Sequence, residues 1–183
     1  MSPRVEIVTV SGFPGSGTST ACRLLSEQLG WHYLNAGDIF RQLASDAGAS
    51  LAEFGRRAEA DGRIDRDLDA RMLAEARQRQ GAVLEGRLTG WMIHRHAVPA
   101  LKIWLEATPQ VRAQRVSRRE GQPLDPTVQA MMEREESESS RYRRFHGVDI
   151  EDLSIYDLVI DTNRRSAEDV AEAIAAHLLG EGG

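Results

Sequence analysis

The chain is almost without lysine. Of its 23 lysine and arginine residues, only Lys102 is lysine. Any charged grip on a phosphate must therefore come from arginine, whose planar fork of donors suits that task. Cysteine is as scarce. The one residue, Cys22, excludes an internal disulfide and fits a reducing compartment; it falls on a helical pattern and reads as core filler. No apolar run approaches the ~20 residues of a membrane span. The opening MSPRVEIVTVSG lacks the long apolar core of a secretory signal. The expectation is a cytoplasmic protein with no membrane partner. An excess of positive charge is also missing. A formal net charge of −5 gives no general support for nucleic-acid binding, and no basic stripe carries interleaved aromatics. A local basic cleft stays open.

What is present describes one domain over residues 1–183, with room for an insert and a lid. Apolar content of 41% and charged content of 28% are ordinary for a globular chain. Short β-branched and apolar runs alternate with helical patterns. Strands are predicted over Val5–Val10, Trp31–Asn35, Ala82–Glu85, Leu101–Leu105 and Asp157–Ile160. A helix runs from the glycine loop to about Gly30, and another from Gly37 to Ala47. Ser50 with Glu53 has the capping-box spacing, and Asp65 is expected to cap a helix reaching about Gln80. No strand separates these helices, so residues 38–80 read as an insert. Thr108-Pro109 opens a further helix. GQPLDP, Gly121–Pro126, breaks the chain before a polar helix from about Thr127 to His146. Ser166 caps the last one. The implied class is α/β, a five-stranded parallel sheet with helices on both faces and ligands beyond the carboxyl ends of its strands.

SGFPGSGTST, Ser11–Thr20, fits G-x-x-x-x-G-K-[ST] with Gly12, Gly17 and Ser19 in register and Thr18 where lysine is usual. It follows a strand and precedes a helix, so backbone amides and the positive helix end can cradle phosphate oxygens. Those donors are main chain and survive the loss of lysine. Ser19 is the expected Mg²⁺ ligand, whereas Thr18 offers a hydroxyl without charge. The alternative is a plain βα turn built from small residues. Phosphoryl transfer would need the missing cation replaced, and Arg112, Arg115, Arg118 and Arg119 on the helix after residue 108 are the candidates.

Three further clusters stand out. In NAGDIFR, Gly37 permits close backbone approach, Asp38 can cap the following helix and Arg41 can reach toward the cleft; a capped surface helix explains the same residues. In VLEGRLTGW, Glu85 ends a strand beside the glycine loop, where Mg²⁺ and its waters need a carboxylate, and Arg87 follows into the same cleft. In REESESSR, Arg134, Glu138 and Arg141 at i, i+4, i+7 share one helix face; an exposed ion-pair stripe has the same spacing. Arg143 and Arg144 read as solvated.

Together GFPGSGTST, NAGDIFR, VLEGRLTGW, REESESSRY and DLSIYDLVIDT resemble the cytidylate kinases, specifically the short archaeal-type branch of the nucleoside monophosphate kinases, over residues 5–163. The resemblance implies a three-layer P-loop kinase fold with an acceptor-binding insert at 38–80 and a lid at about 115–130. It implies ATP-dependent phosphorylation of CMP or dCMP with Mg²⁺, the partners being small-molecule nucleotides. Gly12, Phe13, Pro14, Gly15, Ser16, Gly17, Thr18, Ser19 and Thr20 would bind ATP. Ser19 and Glu85 would serve the metal. Arg41 and Arg87 would clamp the acceptor phosphate, with Asp38 counted among the acceptor-binding residues. Arg134 and Glu138 would contact the acceptor ribose and Arg141 its phosphate. Arg115 and Arg119 would grip the ATP phosphates, making Arg115, Arg119, Arg87 and Arg141 the catalytic set. The segment at Thr162 and Asn163 would border adenine. Bacterial relatives carry a cytosine-reading acid directly after the arginine of E-G-R; here that position is Leu88. Rival readings are a same-fold kinase for UMP, a modified cytidylate or another small phosphate ester, and a non-catalytic ATP-binding module. A monomer is expected.

Overall fold

The first strand sets the frame. In the computed structural model, which describes residues 6–180, β1 runs Ile7–Gly12 and every residue in it is buried. Val5, expected to open this strand, lies outside the described residues. β3, Ala82–Glu85, pairs with β1 on one side, and β4, Leu101–Glu106, on the other. β2, His32–Asn35, and β5, Leu158–Asp161, complete a five-stranded sheet of order β2-β3-β1-β4-β5. All four pairings are parallel. Strands with both faces covered read as continuous apolar runs rather than alternating ones, as β1 does.

Both faces are packed. Val8, Val10, Val83, Ile103 and Leu105 meet Cys22 and Leu25 of α1, Thr18–Leu29, and Ile174 of α8, Ala167–Leu179. The Cys22 thiol is fully buried and its pKa is pushed up, first by that burial, in keeping with a packing role. On the opposite face Ile7, Leu34 and Leu84 pack against Met72 and Ile93. A third group under the glycine loop joins Trp104, Tyr142, Ile150, Ile155 and Tyr156, with Phe13 edge-on to Trp104 at 5.5 Å between centroids.

Between β2 and β3 the chain makes α2, Ala36–Asp46, α3, Leu51–Ala60, and α4, Arg63–Arg77, with no strand among them. Two capping expectations change here. Asn35, not Asp38, caps α2: its Oδ1 accepts the Asp38 amide at 3.1 Å. Asp65 does not cap α4, which starts two residues earlier; it sits buried in the first turn, facing His146. Ser50 accepts the Glu53 amide as expected, but the Glu53 carboxylate pairs with Arg57 instead of closing a capping box. The reciprocal box occurs at Ser166 and Asp169 of α8.

α6, Pro109–Glu120, begins at its Thr108 cap, and α7 spans Leu124–His146. The break is thus only Gly121–Pro123. Pro126 lies in the first turn of α7, where a missing N–H leaves no intrahelical bond unmade. α5, Thr89–Arg95, was not expected: it is short, has no side-chain cap and carries Gly90 in its first turn. A Cβ at Gly90 would stand 2.5 Å from Tyr156 Cε1. Gly90→Ala is therefore expected to lower stability by about 1 kcal/mol, the overpacking cost of roughly 1–3 kcal/mol exceeding the helix-propensity gain of about 1 kcal/mol. Urea unfolding midpoints of the two proteins check this.

Candidate active site

The register brings the key groups into one row. Asn35 is paired with Glu85, and Glu85 with Val10, two residues before the glycine loop begins. A cleft of about 910 Å³ opens at these carboxyl ends, and every residue from Gly12 to Thr20 lines it. The loop needs glycine at 15 and 17, whose φ angles are +84° and +91°. At Gly15 a Cβ would also lie 2.5 Å from the Arg112 carbonyl oxygen. The first intrahelical bond of α1 runs from the Ala21 amide to Gly17, and Gly17 supplies no side-chain cap. The amides of Thr18, Ser19 and Thr20 thus precede the helix ladder and face an anion site.

Glu85 is the hub. Its Oε1 accepts the hydroxyls of Thr18 at 2.7 Å and Ser19 at 2.6 Å. Its Oε2 accepts from the Tyr33 hydroxyl and the Asn35 amide nitrogen. Burial, and then the bond to Glu85, push the Tyr33 pKa well up, so the phenol stays a donor. Position 18 therefore spends its hydroxyl on Glu85. Ser19 and Glu85 together present hard oxygen donors beside the amide cradle, a set that suits Mg²⁺, which takes few protein ligands and completes its shell with phosphates and water. Among the described residues no cluster of three His, Cys, Asp or Glu side chains could hold a metal by itself.

The far half of the cleft is basic but paired. Arg87 meets Glu138, and both side chains are only 15% exposed; Arg134 Nε donates to the same carboxylate at 3.0 Å. Burial lowers the Arg87 pKa to about 10, which leaves it cationic at neutral pH. Arg141 Nε lies 3.5 Å from Asp65 Oδ2, which also faces His146 Nε2 at 3.3 Å. Arg41 lines the cleft and pairs with Asp38. Asp38 itself is exposed and is not on the cleft wall.

On the opposite wall Arg115 is committed to the glycine loop and to Thr162. It donates to Gly15 O at 3.1 Å, Thr162 Oγ1 at 3.1 Å and Thr162 O at 2.5 Å. Arg119, one turn on, is exposed, pairs with Glu120 and lines the cleft. Thr162 lines it too and donates to Ser16 O at 3.0 Å, whereas Asn163 accepts the Thr108 amide. Arg143 pairs with Asp149 at the surface.

Sequence reasoning missed three participants, Tyr33, Asn35 and Asp69, and named Arg112 only as one of four candidate cations. Tyr33 and Asn35 hold Glu85, and only the strand register reveals it. Arg112, buried, binds Ala107 O at 3.2 Å, Pro14 O at 3.3 Å and Glu135, and lies over Phe13; nothing in its spacing separates it from its arginine neighbours. Asp69, on α4, lines the cleft and went unremarked. Burial raises its pKa to about 6; Asp65 adds to the rise, and His146 and Arg95 oppose it. The folded form therefore holds this proton more tightly than the unfolded chain, whose carboxyl titrates near 3.9. Asp69's contribution to stability is most favourable below about pH 4 and is lost as pH rises through about 6. Accordingly, melting temperatures of Asp69→Asn relative to the parent should shift in the variant's favour between pH 4 and pH 7.

Residues 7–164 match the model of the Cytidylate kinase-like family. A cytidylate kinase of Methanococcoides burtonii is 48% identical over 158 residues, 86% of this chain and 88% of that protein. One of Thermococcus sibiricus is 45% identical over 185 residues, covering all of this chain and 94% of its own. Among solved structures, an uncharacterized protein from Eubacterium ventriosum superposes with a TM-score of 0.72 at 14% identity, covering 94% of this chain and 97% of its own. The shikimate kinase of Acinetobacter baumannii, in complex with shikimate, gives 0.63 at 20% identity, covering 96% and 94%. The parallel sheet and its glycine loop thus form a P-loop kinase fold.

Proposed function

The chain belongs to the cytidylate kinase-like family, and we propose that it transfers the terminal phosphoryl group of ATP to CMP or dCMP, yielding ADP and the nucleoside diphosphate. One observation carries the reading: a single continuous cleft joins the amide cradle at Gly12–Thr20 to the arginine cluster at Arg41, Arg87 and Arg141. Two phosphate-bearing molecules can meet there head to head. In this assignment the cradle holds the ATP phosphates, Arg41, Arg87 and Arg141 hold the acceptor phosphate, and Arg134 and Glu138 take its ribose. Residues 38–80 form the acceptor side and residues 115–130, around the α6–α7 turn, the lid.

The acceptor oxygen is already anionic near neutral pH, so no strong base is required. Alignment and charge neutralisation carry the reaction. Ser19 and Glu85 would hold Mg²⁺, which when bound offsets charge on the donor phosphates. Arg115, anchored on the loop, supplies fixed positive charge; Arg119, held only by its exposed pair with Glu120, closes over the phosphates and takes over what a lysine at 18 would do. Closure also excludes water and so suppresses ATP hydrolysis. A monomer acting on small nucleotides in the cytoplasm, without nucleic acid, fits this reading; among the described residues no helix is long and apolar enough to cross a membrane.

The decisive experiment is a coupled ADP-release assay with CMP, dCMP, UMP, AMP and shikimate. Rapid turnover is expected with CMP and dCMP; ATP binding without acceptor-dependent ADP would refute a kinase. Within this scheme Arg119→Ala should lower kcat by ~10²–10³ with the fold intact by circular dichroism. Near-normal turnover would remove Arg119 from the mechanism.

A further inference from the structure

The acceptor half of the cleft holds its charges in pairs: Arg87 and Arg134 with Glu138, Arg141 with Asp65, Arg41 with Asp38. Two cleft-lining carboxylates on α3 and α4 stand outside this scheme, Glu59 and Asp69. Glu59 is exposed, where water satisfies it. Asp69 is half-buried, and among the described residues its carboxylate makes neither a hydrogen bond nor an ion pair. Leu68, Met72, Leu88 and Phe40 line the same cleft, Phe40 braced edge-on by Phe54 at 5.1 Å, while His146 and Arg95 also act on the Asp69 carboxylate. Apolar side chains with an unpaired carboxylate among them can seat a base and fix its identity.

Position agrees with composition. Asp69 follows Asp65 by one turn of α4, about 6 Å along the helix axis. Asp65 is the residue that contacts Arg141. With the acceptor phosphate on Arg87 and Arg141, a base one sugar away can reach the wall that α4 forms. We propose that Asp69 determines the specificity for the acceptor base by accepting a hydrogen bond from the exocyclic amine of cytosine. This rests on the reading of the cleft as a cytidylate kinase site. An ionised carboxylate only accepts. Cytosine offers it the N4 amine; uracil opposes it with the O4 lone pairs. Carboxylate-to-N4 bonding is a general way of reading cytosine. A desolvated polar contact of this kind discriminates strongly because the mismatch leaves a buried group unpaired.

The test measures kcat/KM for CMP, UMP and N4,N4-dimethyl-CMP, which lacks the amine hydrogens, with the parent enzyme and with Asp69→Ala. The CMP-to-UMP ratio should fall about 10- to 100-fold in the variant. The parent should discriminate against dimethyl-CMP by a similar factor, and the variant should largely lose that discrimination. A ratio unchanged within twofold, or a parent indifferent to N4 methylation, overturns the assignment. The second measurement needs no variant and stands if Asp69→Ala folds poorly. A parent inactive on every pyrimidine nucleotide overturns the kinase reading and this proposal together; activity on CMP with an unmoved ratio overturns only the role of Asp69.

Discussion

The arrangement depends on one carboxylate. Glu85 ends a strand buried on both faces, where an unpaired charge would be costly. Four donors meet it, two from the start of α1 and two from β2, so side chains tie β2, β3 and the start of α1 together beyond the backbone ladder. This fixes the pitch of the glycine loop against the sheet. It also explains how threonine serves at position 18. A lysine there would cancel the charge of Glu85; a hydroxyl satisfies the oxygen and leaves the charge in place. Next to the amide cradle, that retained charge would favour a phosphate ligand that brings a cation with it.

The same logic governs the arginines. Arg112 is buried and Arg87 only slightly exposed, and each is matched to a glutamate of α7, Glu135 and Glu138. Helix α7 is thus keyed both to the back of the phosphate loop, through Arg112 and Pro14 O, and to the E-G-R turn, through Arg87. A guanidinium can serve in both settings because its fork reaches a carboxylate and a carbonyl at once.

Local signals made much of this legible. Thr108-Pro109, Ser166 and the glycine stops fix helix ends through chemistry that needs no tertiary partner, and the observed boundaries fall within a few residues of those expected. The cleft-lining residues of the loop, Glu85 and Arg87 were readable from spacing and order; Arg134, Glu138 and Arg141 shared a helix face by spacing, but only the family resemblance separated them from an exposed ion-pair stripe. What escaped depended on contacts distant in sequence. Asp65 has the look of a cap, yet is claimed by Arg141 and His146 on a helix some eighty residues later. Asp38 likewise yields its capping role to Asn35, because β2 ends one residue before α2 begins. Tyr33 and Asn35 gain meaning only once β2 is set beside β3.

The solitary lysine has a practical corollary. Lys102 lies near the amino end of β4, with its ammonium 2.8 Å from Asp157 and no share in the cleft wall. Acylating and aldehyde labels that seek side-chain amines therefore find no target in the nucleotide cleft, while dicarbonyl reagents selective for guanidinium find several. A fluorophore or surface tether placed through Lys102 would leave the cleft unobstructed, and its low exposure of 15% marks it as a slow, single-site handle.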